Sequence, residues 1–321
     1  MNVSITEINY WFVEYRGKAM GLAGAAVSCI MLGLLPIFMM YEIEEVGWRG
    51  TYRLLGFACC GFLFPLVLMF FRETPETYNL FPDGKFPERE KEKPIANIVK
   101  EKTITALSWE AARAIRSPAF ICYSLADLVI AATGTAFFFH LRSFVEDANL
   151  SKTIVHGMYP MLAIVSIFGR LVSGYAIDKF GCRYVAIGSQ LASATALFLI
   201  GFCMNNYTAF FILFLLAFGT STASNVRSTV HANFFGRKEL GKIQSVASSL
   251  TVLGSALGPM PFGLTKDLTG SFDLAFIISG VISVITALVV FRFGSNPNLL
   301  LNEEKAPLEL NQVKSDEKEK V

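Results

Sequence analysis

The residues best able to do chemistry here are the polar and ionisable ones stranded inside apolar runs: Arg170, Asp127 and Arg227, with Asn225 beside the last. A charge in the hydrocarbon of a bilayer is expensive, so such a residue is by default a site candidate. An arginine fork matches a carboxylate through two parallel hydrogen bonds, which makes Arg170 the first candidate for holding an anion. Arg170 precedes Asp178 by eight positions, about 12 Å along a helix rising ~1.5 Å per residue. That is too deep for a headgroup contact; the plainer alternative is a packing or gating residue. Asp127 follows Pro118 by nine positions on a run of opposite direction, at a depth comparable to Arg170, so these two are expected to pair. The pair reads either as a proton-coupling or gating site or as a structural salt bridge between adjacent helices. Arg227 lies nearer the end of its run and is expected to snorkel to headgroups. His140, His156 and His231 stand at run ends, where an interfacial imidazole needs no special role.

A second cluster carries conformational rather than binding chemistry. Gly174-Tyr-Ala-Ile-Asp178-Lys179-Phe-Gly181-Cys-Arg183 joins two long apolar runs. Gly174 allows a close helix approach, Asp178 is placed to accept from the N-terminus of the next helix, and Lys179 and Arg183 are expected to face phosphates.

These residues need long apolar elements to position them, and the composition supplies them. The chain has 321 residues, 53% of them hydrophobic, with 29 Phe; its runs of about 20 apolar residues match a bilayer and exclude an ordinary soluble enzyme. The reading is an all-α membrane protein with about eight spanning helices. Two lie in residues 1–71, and 72–117 is a Pro- and charge-rich linker ending in a short amphipathic helix, with Trp109 expected in the headgroup layer. Six more runs fill 118–293, and 294–321 is a polar tail. Phe137–Phe139 reads as a lipid-facing belt. Most of the 28 Lys and Arg fall on the side of the 174–183 loop, while Arg49, Arg53, Arg142, Lys152 and Lys266 fall opposite. The loop side is therefore expected to be cytoplasmic. Cys29, Cys59, Cys60, Cys122, Cys182 and Cys203 form no C-x-x-C, so neither disulfides nor metal is expected. No cofactor and no nucleic-acid partner is implied; the partners are membrane lipids and a small solute.

The pattern G-x-x-x-D-(R/K)-x-G-x-R closely resembles the signature loop of the major facilitator superfamily, whose members are secondary transporters built from two related halves. Trp11-Phe12 to Gly17-Lys18 also resembles Phe234-Phe235 to Gly241-Lys242, as an internal repeat would. The resemblance implies a partial major facilitator fold, two helices of the first half and six of the second, with helices one to four outside this sequence. Small-residue faces such as Gly17, Gly21 and Gly24 are then expected to face lipid or a partner. Gly47-Trp-Arg49, Arg72-Glu-Thr-Pro-Glu76, Asn233-Phe-Phe-Gly-Arg-Lys-Glu-Leu-Gly241 and Leu257-Gly-Pro259 resemble the monocarboxylate transporter and oxalate:formate antiporter branch. That implies alternating-access transport of a small organic anion, with Arg170 on its carboxylate and a proton as the coupling partner to be tested. Ser166 stands where the animal monocarboxylate carriers have an acid. The multi-pass protein is expected in the plasma membrane ahead of an organelle. The alternatives are a non-transporting truncated protein, a partner subunit, or a carrier of an unrelated solute.

Overall fold

The computed structural model describes residues 2–70, 74–78, 80, 82–84, 109–148 and 150–297. Among them every regular element is helical. A chain of apolar runs has little other choice, because lipid cannot satisfy backbone N–H and C=O groups and each segment must bond its own.

The first part comprises α1 (Asn2–Trp11) and α2 (Arg16–Ser28), which runs through a π-helical turn, Cys29–Leu34, into α3 (Leu35–Ala58). Gly47 interrupts α3 at φ 71°, a conformation that a residue without Cβ adopts at no steric cost. A second π turn, Cys59–Leu63, leads to α4 (Phe64–Phe70). After the linker come α5 (Ala111–Ile115), α6 (Pro118–Phe139), α7 (Leu141–Asp147), α8 (Lys152–Phe180) and α9 (Cys182–Cys203). The chain continues as α10 (Ala209–Phe235), α11 (Leu240–Leu257), α12 (Pro259–Thr269) and α13 (Asp273–Phe293). Ser117 caps α6 by accepting from the Phe120 N–H at 3.2 Å, with Pro118 in the first turn, where its missing N–H leaves no bond unmade.

Seven stretches among the described residues are long and apolar enough to cross a membrane. The eighth run of the sequence, 243–263, is instead divided between α11 and α12 at Gly258-Pro259, where the proline ring disrupts a continuing helix. α9 packs on α13 and α10, α8 on α10, and α6 on α11 and α13; α2 joins this bundle against α8 and α10. One apolar core, around Phe120, Tyr123, Phe234 and Phe235, lies at the end bearing the 174–183 loop. Another, around Phe137, Phe144, Phe262 and Phe276, lies towards the far end. Phe137 is thus part of the core, and only Phe138 and Phe139 of the expected belt are exposed.

The end of the linker also departs from the expected headgroup-lying helix. The Trp109 N–H donates to the Phe235 carbonyl at 3.0 Å and its ring meets Phe235 edge-on, while Arg113 stacks on its face. Glu239 bonds the start of α5: one carboxylate oxygen accepts from the Ala111 N–H at 2.6 Å and the other from Lys242 Nζ at 2.7 Å. Those bonds, the Lys242 one first, hold the Glu239 carboxyl below its ordinary value of 4.5. A depressed carboxylate pKa favours the docked form above the free group's pKa, and that contribution is lost as pH falls through the lowered value. Amide exchange at Ala111 should therefore stay slow at neutral pH, speed up on acidification below the ordinary carboxylate range, and be fast throughout in Glu239→Gln. Slow, pH-independent protection in that variant would exclude the carboxylate as the latch.

Candidate functional site

The 174–183 loop is built where α8 ends and α9 begins almost without a connection. Gly181 takes φ 83° and ψ 161° between them, which needs no linker but does need glycine. Asp178, in the last turn of α8, does not cap the helix that follows it. Its Oδ1 accepts from the Gly17 N–H at 2.7 Å and its Oδ2 from the Lys18 N–H at 2.9 Å. The carboxylate therefore sits on the positive N-terminus of α2, more than 150 positions away in sequence, satisfying two orphan donors and meeting the helix dipole.

That contact requires glycine on both helices. A Cβ on Gly17 would lie 2.5 Å from Asp178 Oδ1, one on Gly174 would lie 2.5 Å from the Gly17 carbonyl oxygen, and one on Gly21 would lie 2.6 Å from the Arg170 carbonyl oxygen. Gly17 and Gly21 are buried. The small-residue face expected to meet lipid or a partner is thus already used against α8, since α2 belongs to the bundle. The other loop cations are also committed. Arg183 donates to the Phe291 carbonyl at the end of α13 rather than facing phosphate, and Lys179 lies over the Tyr175 and Phe180 rings.

Further bonds close this end between the first helices and α10–α11. Arg16, only 6% exposed, donates to Asn233 Oδ1 at 2.9 Å. Asn9 donates to the Ser228 carbonyl at 2.8 Å, and Arg237 to the Tyr10 carbonyl at 2.7 Å.

Deeper in the bundle, the intramembrane charges pair differently from the expectation. Asp127 on α6 is bound by Arg227 on α10, with Nη1 at 3.2 and 3.3 Å from its two carboxylate oxygens, and by Thr251 Oγ1 on α11 at 2.5 Å. Arg227 also donates to Ser224 at 3.2 Å. It is therefore turned onto a carboxylate across the helix pair instead of extending along its own helix as a snorkelling side chain would. Arg170 is left without that acid. Its Nε donates to Ser28 Oγ at 2.9 Å and its guanidinium lies across Gly24, where a Cβ would come within 2.5 Å of Nη1. Among the described residues it has no carboxylate partner, and Ser166, one turn earlier, is a buried hydroxyl.

Asn225 is fully buried and donates to the Arg170 carbonyl at 2.7 Å and to Ser173 Oγ at 2.9 Å. It fixes the α8 backbone at Arg170 instead of presenting its amide to a cavity. His231 is a further correction: α10 runs on to Phe235, so the imidazole is only 3% exposed and packs on Phe120 and Phe235. His140 bonds the Pro259 carbonyl at 3.0 Å beside Phe272; the His156 side chain lies outside the described residues.

Ser28, Thr251 and Gln190 were not anticipated. Gln190 had a readable signal, a lone amide in an apolar run; it donates to the Ala126 carbonyl at 2.8 Å. Hydroxyls of Ser and Thr are too common in membrane helices to stand out.

Long apolar helices, close glycine-mediated crossings and guanidinium groups inside apolar helices define a multi-pass membrane protein. The chain matches the Major Facilitator Superfamily over residues 3–183 and again over 119–317, and it belongs to that family. It is similar to monocarboxylate transporter 12 of Xenopus laevis, 22% identical over 315 residues covering 92% of this chain and 66% of that protein. Monocarboxylate transporter 2 of Homo sapiens is 24% identical, over 94% of this chain and 64% of its own length. A glucose-6-phosphate exchanger of Bos taurus is 28% identical over a shorter stretch, 46% of this chain and 30% of its own length. The chain thus spans about two thirds, or slightly less, of these two monocarboxylate transporters. It is a monocarboxylate transporter-like member of the superfamily.

Proposed function

We propose that this chain is part or all of a secondary carrier for a small organic monoanion, with Arg170 as the group that binds the carboxylate. The observation that carries this reading is a guanidinium inside an apolar helix whose one side-chain partner among the described residues is a neutral hydroxyl, while Asp127 is already held by Arg227 and Thr251. An intramembrane cation with no carboxylate of its own is suited to one delivered by a ligand. Arg227 lies within electrostatic reach of Arg170 and adds positive potential to the same region, and relatives named as monocarboxylate transporters agree with the charge type.

In this reading α2–α4 belong to the first half of the transporter and α6–α13 to the second. The 174–183 loop lies on the cytoplasmic side of the plasma membrane, and alternating access works by loosening the Asp178 contact between the halves. The chain, purified into lipid nanodiscs, should bind lactate or pyruvate saturably and bind a neutral analogue such as lactamide at least about tenfold more weakly, the least that loss of a charge-assisted pair predicts. Equal affinity for lactate and lactamide, or binding of neither, would exclude a carboxylate-reading site.

A further inference from the structure

Arg170 is held at two points by two different helices. Its backbone is fixed from α10, where Asn225 donates to the Arg170 carbonyl at 2.7 Å. Its side chain is fixed from α2: Nε donates to Ser28 Oγ at 2.9 Å, and Gly24 lies against the guanidinium. A Cβ on Gly24 would come within 2.5 Å of Nη1, 2.8 Å of Cδ and 3.2 Å of Cζ, so a larger residue there would stand where the Arg170 side chain now lies. Gly17, Gly21, Gly24 and Ser28 recur at intervals of four, three and four positions, which places them on one face of α2. Gly17 and Gly21 meet the α8 backbone, whereas Gly24 and Ser28 meet the Arg170 side chain. Ser28 is only 3% exposed, so its hydroxyl is shielded from competing water.

We propose that Gly24 and Ser28 are positioning residues for Arg170, so that the anion site is assembled only while α2 is seated on α8. With Nε committed to Ser28, the edge left for a carboxylate is the Nη1–Nη2 end of the guanidinium, and the two α2 residues set the direction in which it points. The inference rests on Arg170 as the carboxylate-binding group and adds the part of the chain that aims it. Fixing one rotamer-rich side chain before the ligand arrives removes a cost of binding equivalent to as much as about tenfold in affinity. When the Asp178 contact loosens and α2 leaves α8, that preorganisation goes with it. Anion affinity is therefore higher in the form closed at the 174–183 end, and by linkage the anion favours that closed form by the same factor.

The test is lactate binding to the whole chain in nanodiscs, with Gly24→Ala as the principal variant. The nearest atoms a new methyl would strike belong to the flexible side chain of Arg170 and not to backbone, so the helix crossing and the melting temperature should survive while the guanidinium is pushed aside. Lactate affinity should fall about tenfold, and the preference for lactate over lactamide should shrink with it, since the neutral analogue gains little from the charge. Ser28→Ala, which adds no bulk, should give a smaller fall of the same kind. In an Arg170→Gln background neither substitution should have a further effect, because the group they aim is gone. Saturating lactate should slow alkylation of Cys182, buried at the loop end, by about the same tenfold.

Unchanged lactate affinity in both Gly24→Ala and Ser28→Ala, while Arg170→Gln weakens binding, would overturn the proposal and leave the cargo reading standing. A fall shared equally by lactate and lactamide would also overturn it, since that marks a general loosening of the bundle, and so would a full effect of Gly24→Ala in the Arg170→Gln background. Cys182 alkylation unmoved by bound lactate would overturn the dependence of the site on a seated α2. Lactate affinity indifferent to Arg170→Gln, or no lactate binding at all, would remove the cargo reading and this inference with it.

Discussion

Arg170→Gln will weaken monocarboxylate binding by about a hundredfold while leaving the carrier folded. Glutamine keeps most of the stem that lies across Gly24 and one donor for Ser28, so the packing of α8 on α2 survives. What disappears is a positive charge in a half-buried site, and truncating one side of such a charge pair costs about 2–5 kcal/mol; 3 kcal/mol is roughly a hundredfold in affinity. Removing Arg170 breaks no ion pair among the described residues, so stability should change little. Arg170→Lys separates charge from geometry: an ammonium restores the potential but not the planar fork, and it should recover only part of the affinity. Unchanged lactate affinity in Arg170→Gln, with a melting temperature like that of the parent, would remove Arg170 from the site.

The candidate charges were visible in the sequence because any ionisable residue inside an apolar run of bilayer length stands out. Their partners were not. Depth can be counted at a fixed rise per residue, and that count put Asp127 and Arg170 at comparable levels and so suggested pairing. Which residue Asp127 meets depends on the rotation of α6, α8 and α10 about their axes, and a rotation of about 100° per residue makes that choice a matter of packing. In the structure α6 and α10 turn Asp127 and Arg227 together, and Arg170 turns towards α2. His231 was misplaced for a different reason: the apolar run was ended at the polar segment near 230, whereas α10 continues to Phe235 and carries the imidazole into the core. The glycines of α2 were recognised as a packing face, but not their partner, because sequence does not say which helix a distant glycine faces. Gly174, Gly17 and Gly21 answer to one another only once α2 and α8 are crossed.

The same crossing makes Asp178 the residue whose loss should most alter conformation. Asp178→Asn keeps the size of the side chain but leaves one acceptor where two N–H groups, those of Gly17 and Lys18, now converge on two carboxylate oxygens. The amide nitrogen would face a donor, and the charge on the N-terminus of α2 would vanish. A hydrogen bond to a charged group contributes about 1.5–3 kcal/mol and the helix-end charge a further 0.3–1 kcal/mol when exposed. Since Asp178 is exposed, water recovers part of this, and a net loss of about 2 kcal/mol is expected. That is close to a thirtyfold change in the ratio of closed to open forms at this end. Cys182 offers a native reporter: it is 4% exposed, held beside Thr229 and Asn233, and Asn233 itself carries the Arg16 contact. In a chain whose other five cysteines are serine, alkylation of Cys182 follows the open population when closing is fast relative to the reagent. Asp178→Asn should speed it by about thirtyfold while the chain stays folded, and Asp178→Glu should restore much of the protection. An unchanged alkylation rate in Asp178→Asn would mean that Arg16, Asn9 and Arg237 hold the end shut by themselves, and that the loop aspartate is a helix cap with no part in gating.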